Sequence, residues 1–150
     1  MSDDTSNNSA APPPPPRVSV VMPTHARPEM LRRALESLEA QTYPREAFEV
    51  IVVATAADAA FDVVAEFAAR GRVDARCLSV PDDPSGGRSP SLKRNYGVSQ
   101  ARGQWIAFID DDCTADPGWP TGASAFFDQA SAGGIEGHKA IPRPERETLV

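Results

Sequence analysis

The sequence predicts an α/β domain with a mainly parallel sheet flanked by helices, and three observations point to it. Short apolar runs rich in β-branched residues alternate with stretches of helical periodicity, the pattern of successive βα units joined by right-handed crossovers. The run Trp105–Ile109 is unbroken and partly aromatic, which suits a strand covered on both faces. It ends in Asp110, Asp111 and Asp112, so an acidic cluster stands at the carboxyl end of a strand, where open α/β sheets bind ligands.

In chain order, Val18–Met22 is a β-branched run stopped by Pro23 and reads as the first buried strand. Thr24, His25, Ala26 and Arg27 form the loop after it. Pro28 suits the first helical position, and Met30, Leu31, Ala34, Leu35 and Leu38 then share one face through about Gln41. Tyr43-Pro44 ends that helix. Phe48–Val53 is the second strand, Ala54–Ala57 a connection, and Phe61, Val64, Ala65 and Ala68 mark a second helix that Gly71 stops in a left-handed conformation. Ala75–Val80 gives a third strand. Pro81–Pro90 has the composition of a loop, long enough to be mobile, and Ser91–Arg102 a third helix with Leu92, Tyr96 and Val98–Ala101 partly apolar. After the strand Trp105–Ile109 come a turn at Pro117–Pro120, a helix near Thr121–Ala132, a Gly133-Gly134 break and a strand Ile135–Ile141.

A chain of 150 residues is one domain of ordinary size. Met1–Pro16 lacks apolar periodicity and closes on five consecutive prolines, so residues 1–16 are expected to form a disordered tail and 17–150 the folded unit. The amino terminus has neither the basic start nor the apolar core of a secretory signal, and no stretch approaches the roughly 20 apolar residues that span a bilayer. A soluble cytoplasmic protein with no transmembrane segment is expected. Cys77 and Cys113 lack metal-type spacing and lie in or beside apolar runs, as reduced structural thiols do. The formal net charge of −6, with the basic residues scattered, argues against a nucleic-acid surface.

The three aspartates carry the chemistry. Adjacent carboxylates repel unless a cation neutralises them, and oxygen-only ligands suit Mg²⁺ or Mn²⁺, above all when phosphates complete the coordination. Taken alone, the cluster reads equally well as a solvated acidic turn capping the next helix.

Together, VSVVMPTHARPEMLRRALESL, FEVIVV, SLKRNYGVSQARGQWIAFIDDDC and the following PGW resemble the nucleotide-sugar-binding half of an inverting family 2 glycosyltransferase, over about Val18–Pro142. The resemblance implies the Rossmann-like GT-A nucleotide-diphospho-sugar transferase fold, incomplete at its carboxyl end. It implies a UDP-, GDP- or dTDP-sugar donor, a divalent cation (Mn²⁺ or Mg²⁺) and a DxD function for the aspartates. Asp111 or Asp110 would meet the ribose, and Asp112 would be the metal ligand. Pro23, Thr24, His25 and Arg27 map to the loop that holds the base, where a histidine ring can stack on a nucleobase; by itself, His25 reads as a surface loop residue. A motif like SxARN appears as Ser91-Leu92-Lys93-Arg94-Asn95, which puts Lys93 and Arg94 beside the donor site. Arg94 and Asn95 point about 100° apart on a helix, so Asn95 is left to packing. Arg88 in the preceding loop is a further base or phosphate contact. Trp119 would lie near the sugar or acceptor, stacking on a pyranose face, with a core-facing position equally open.

Two departures qualify the match. Where family members carry a pattern like VVDDGS, this chain reads Val52-Val53-Ala54-Thr55-Ala56-Ala57, and Asp58, the nearest carboxylate, falls late and suits a helix cap. Inverting transfer also needs a carboxylate to deprotonate the acceptor. The family's acidic motif beyond a GGxxG-like segment is not found after Gly133-Gly134-Ile135-Glu136-Gly137, and Glu136 is the one weak candidate for that base. The expectation is therefore a glycosyltransferase whose donor- and metal-binding half lies here. The alternative is an incomplete nucleotide-binding module acting with a partner chain that supplies the missing half, and a phosphate-binding regulatory domain is a weaker third reading.

Overall fold

The computed structural model describes residues 16–129. Four strands, β1 (Val18–Pro23), β2 (Phe48–Ala54), β3 (Asp74–Ser79) and β4 (Trp105–Phe108), form one parallel sheet in the order β3-β2-β1-β4. The helices are α1 (Pro28–Glu39), α2 (Ala60–Arg70), α3 (Pro90–Ser99) and the short α4 (Trp119–Ser124). The chain steps outward from β1 through β2 to β3, then α3 carries it back across the sheet so that β4 pairs on the other side of β1. That reversal places a topological switch point between the carboxyl ends of β1 and β4.

The central strands are buried along their whole length, as their unbroken apolar runs require. Val18, Val20, Met22, Val50 and Val52 share one core with the inner faces of α1 and α2. On α1, Leu31, Ala34, Leu35 and Leu38 form the buried stripe, while Met30, expected on that face, is 46% exposed. On α2 the buried set is Ala60, Val63, Val64 and Phe67, displaced by one residue from the expected Phe61, Val64, Ala65 and Ala68. Both sets have helical spacing, and the alanines on every side leave periodicity unable to separate them; burying the large Phe67 ring decides it. Gly71 stops α2 at φ 65°, as expected.

On the opposite face α3 departs from its expected apolar side. Its buried residues are Lys93 and Gly97, and Val98 is 39% exposed. A Cβ at Gly97 would stand 2.5 Å from Val21 Cγ1 and 3.2 Å from Val53 Cγ2, so the missing side chain lets the helix lie directly on β1 and β2. Strand β4 is less covered than its composition suggests: among the described residues it is an edge strand, with Trp105 and Ala107 packed on the core and Phe108 51% exposed.

The Pro81–Pro90 loop is braced where its length suggested mobility. Asp83 accepts from the Ser85 hydroxyl and from the backbone N–H of Ser85 and Gly87, and Ser85 Oγ accepts from the N–H of Arg88 and Ser89. Helix α4 begins at Trp119 and ends at Ser124, earlier and shorter than the expected Thr121–Ala132. Pro16 is buried and Arg17 N–H donates to the Ala47 carbonyl, so packing begins one residue before the expected boundary. The expected tail up to Pro15, the Gly133-Gly134 break and the strand Ile135–Ile141 lie outside the described residues. Among the described residues, no helix is long and apolar enough to cross a membrane.

The amino-terminal end of the sheet is tied by Glu49, 1% exposed on β2. It accepts from Ser19 Oγ at 2.7 Å, from Arg102 N–H at 2.8 Å and Arg102 Nε at 3.0 Å, with Arg76 at 3.3 Å. Burial pushes its carboxyl up, but the hydrogen bonds from Ser19 and Arg102 and the Arg76 charge outweigh this and hold it below the ordinary range.

Candidate functional site

At the switch point the loops after β1 and β4, the end of the 81–90 loop and the first turns of α3 enclose a cleft of about 340 Å³. The loop after β1 contributes Pro23, Thr24, His25 and Arg27; Gly87, Arg88, Pro90, Lys93 and Arg94 form the facing wall; Asp110, Asp111 and Asp112 close the β4 end. All eight residues expected to bind the donor, with the expected metal ligand, thus line one cavity. Pro23 ends β1 and turns the chain outward, and Thr24 N–H still donates to the Val53 carbonyl, so the loop starts from a fixed point.

The three aspartates are not equivalent. Asp111 is 5% exposed; its Oδ2 accepts from Thr24 Oγ1 at 2.7 Å, and its Oδ1 lies 3.5 Å from Arg27 Nη1. Asp110 is paired with Arg94. Asp112 is exposed, and its carboxylate accepts a long 3.4 Å contact from Cys113 Sγ. The expectation that mutual repulsion calls for a cation is therefore corrected: consecutive side chains leaving a strand diverge, and two of the three carboxylates have arginine partners of their own. Among the described residues no cluster of three or more His, Cys, Asp or Glu side chains forms a ready metal cage. Asp112 alone still fits the way Mg²⁺ and Mn²⁺ are commonly held, by one or two carboxylates with waters and substrate phosphates completing the shell.

Lys93, expected beside the donor site, is also buried, which the sequence reading did not foresee. Its side chain is 2% exposed, and Nζ donates to the Thr24 carbonyl at 2.5 Å. Burial pushes its pKa down, against the opposing charges of Asp58, Asp83 and Asp111. The signal that places it is Gly97 one turn later: residues 93 and 97 share a helix face, and a glycine permitting close approach marks that face as the one against the sheet. Gly87, at φ 84°, lies against β2's exit, where a Cβ would fall 2.0 Å from Thr55 Oγ1. The loop wall is thus pressed onto the position where the family's acidic pattern is replaced.

Asp58 does not enter the cleft lining. Its Oδ1 accepts from Ala60 N–H at 2.9 Å at the start of α2, one residue before the N-cap position Ala59, and its Oδ2 accepts from Ala26 N–H at 2.7 Å, where Ala26 has φ 52°. His25 is exposed, with Nδ1 3.4 Å from Thr55 Oγ1. Asn95 is exposed, against the packing role expected for it. Trp119 is part-buried against the core and outside the cleft lining, which is the second of the two positions weighed for it. Glu136 lies outside the described residues. Cys77 is a structural thiol, pushed up to about 12 by burial and by the charge of Asp58.

Comparison with known proteins bears on this site. The family model for glycosyl transferase family 2 matches residues 19–139. Glycosyltransferase AglE of Haloferax volcanii is 30% identical over 103 residues, which cover 68% of this chain and 32% of the relative. The poly(ribitol-phosphate) β-N-acetylglucosaminyltransferase TarS of Staphylococcus aureus is 30% identical over 75% of this chain and 19% of its own length. A solved TarS structure, residues 1–349 in complex with UDP-GlcNAc, superposes with a TM-score of 0.66 at 24% identity over 85% of this chain and 37% of that one. The mannosyltransferase PcManGT of Pyrobaculum calidifontis, in complex with GDP-Man and Mn²⁺, superposes with a TM-score of 0.61 at 25% identity, over 76% of this chain and 32% of that one. The chain spans about a third or less of the length of these relatives. The parallel sheet flanked by helices is the Rossmann-like GT-A architecture of these neighbours, of which the described residues form part.

Proposed function

Because the chain belongs to glycosyl transferase family 2, we propose that its cleft binds a nucleotide-sugar and a divalent cation, and that the protein transfers the sugar with inversion to an acceptor. The observation that carries this reading is the convergence, at one switch point, of a braced Asp111 and an exposed Asp112 with four cationic side chains. Binding of UDP-GlcNAc by TarS, and of GDP-Man and Mn²⁺ by PcManGT, supports it.

Each residue has a task in this reading. Asp111, oriented by the Thr24 hydroxyl and Arg27, accepts from a ribose hydroxyl, with Asp110 beside it. Asp112 holds the cation, which when bound neutralises charge on the nucleoside diphosphate. Arg88, Arg27 and Arg94 stand where phosphate oxygens gain charge as the sugar departs, and fixed donors aimed at developing charge are effective because they need no reorganisation. His25 and the Pro23–Thr24 backbone lie along the base. Among the described residues, the carboxylates lining the cleft are the three aspartates already assigned, so none there is offered as the acceptor's base.

Calorimetry with UDP or GDP, with and without Mn²⁺, tests the reading. Binding is expected to tighten with Mn²⁺ in the parent, and Asp112→Asn is expected to lose that coupling while keeping its thermal unfolding midpoint, because the side chain is exposed. Equal Mn²⁺-dependent binding by both proteins would remove Asp112 from the site.

A further inference from the structure

A buried ammonium normally has a carboxylate against it, or a full set of acceptors. Lys93 has neither. It is the one buried cation among the described residues, no carboxylate lies within ion-pair distance, and the Thr24 carbonyl is its single hydrogen-bond acceptor there. An ammonium carries three N–H donors, so two remain for whatever fills the cleft it lines.

Its place across the sheet says which part of a nucleotide that is, if the cleft is the nucleotide-sugar site proposed above. Asp112 stands at the end of β4, whereas Gly97 lies over Val21 of β1 and Val53 of β2, and Gly87 abuts Thr55 beyond β2. Lys93, one turn before Gly97, comes from the β1–β2 side of the cleft and puts Nζ at the Thr24 carbonyl just beyond β1, one strand spacing, roughly 5 Å, from β4. Phosphates held near Asp112 leave the base at the Lys93 end. We propose that Lys93 selects the donor's nucleobase, favouring bases that present a ring carbonyl (uracil, thymine, guanine) over those that present an amino group there (cytosine, adenine). A lysine N–H donates to a carbonyl oxygen and meets an amino group donor to donor.

UDP and CDP test this closely, since their bases present a carbonyl and an amino group at the same ring position. Dissociation constants for both would be measured by calorimetry with Mn²⁺ on the 150-residue chain, on Lys93→Met and on Lys93→Gln, with inorganic pyrophosphate as a probe of the phosphate end. A hydrogen bond to a charged donor supports a preference for UDP on the order of tenfold or more in the parent. Lys93→Met is expected to bring the two within about threefold. Lys93→Gln, whose amide both donates and accepts, provides the same comparison should the methionine variant unfold. Pyrophosphate binding is expected to be unchanged in the folded variants. No preference in the parent, or a preference surviving in both variants, would overturn the role of Lys93 while leaving the nucleotide site standing. Loss of pyrophosphate together with UDP would overturn it in favour of a phosphate or structural role. A parent that binds no nucleoside diphosphate would overturn it together with the reading on which it rests.

Discussion

Gly97→Ala tests the close approach of α3 to the sheet with the smallest possible change. Helix propensity alone favours alanine by about 1 kcal/mol. Packing opposes it: the new methyl would stand 2.5 Å from Val21 Cγ1 and 3.2 Å from Val53 Cγ2, where carbon atoms sit comfortably at about 3.5–4.0 Å. Neither valine can yield easily, since both are 0% exposed on the two central strands. The helix must therefore lift by roughly 1 Å, and overpacking of this kind costs about 1–3 kcal/mol. The net expectation is a loss of up to about 2 kcal/mol, or a fall in unfolding midpoint of up to roughly 8 °C. Lys93 and Arg94 lie one turn away on the same helix, so the lift also draws them from Thr24 and Asp110, and UDP binding should weaken with stability. Thermal unfolding gives the first effect and calorimetry the second. Val21→Ala restores the space, so the double variant should lose less stability than the sum of the single losses, by on the order of 1 kcal/mol. A Gly97→Ala protein more stable than the parent, as helix propensity alone would make it, or a strictly additive cycle, would refute the close-approach argument.

Glu49→Gln is expected to cost about 2–3 kcal/mol by removing the charge partner of Arg76 and the buried one of the two carboxylates that Arg102 meets, Asp74 being the other. Because the folded carboxyl lies below its ordinary value of 4.5, its contribution is full above that value and lost as pH falls through the lower folded value. Urea unfolding from pH 6 downward should accordingly show a steeper acid loss in the parent than in the variant; parallel curves would discount Glu49. Thr24→Val removes the donor that braces the buried Asp111 and should cost on the order of 1–3 kcal/mol, with weaker nucleotide binding read by calorimetry. Gly87→Ala combines a positive φ with a methyl 2.0 Å from Thr55 Oγ1, so it should destabilise the 81–90 loop, seen as faster amide hydrogen exchange at Ser85–Ser89.

Strand positions were legible because a buried parallel strand leaves a contiguous mark: VSVVM and FEVIVV lie within one residue of the observed β1 and β2. Helix faces were less so. On α1 the large apolar residues are confined to one stripe and the face is readable apart from Met30. On α2 and α3 it is not, since alanines blur one helix and the inward positions of the other are a lysine and a glycine. Apolarity is a poor guide to a face that looks into a polar cleft. The motif puts Lys93 beside the donor site, but its burial depends on Gly97 and on the register of α3 over β1 and β2. Motif order named residues that line one cleft, while the division of labour within DDD required the side-chain directions.

That division changes the electrostatic meaning of the cluster. Three consecutive aspartates in a chain of net charge −6 look hostile to a diphosphate. In the folded protein Arg94 answers Asp110 and Arg27 answers Asp111, while Arg88 and Lys93 have no carboxylate within ion-pair distance among the described residues. Cations outnumber carboxylates along the cleft by four to three, and the unanswered negative charge is confined to Asp112 at one end. A nucleoside diphosphate would, in the proposed reading, meet cationic side chains along the rest of the cleft. In the proposed reading, then, a divalent cation is required by the contact between Asp112 and the phosphates rather than by repulsion within the protein. Weak, salt-sensitive nucleotide binding should consequently persist without metal, and the added cation should act on the phosphate end while base selection by Lys93 stays as it was.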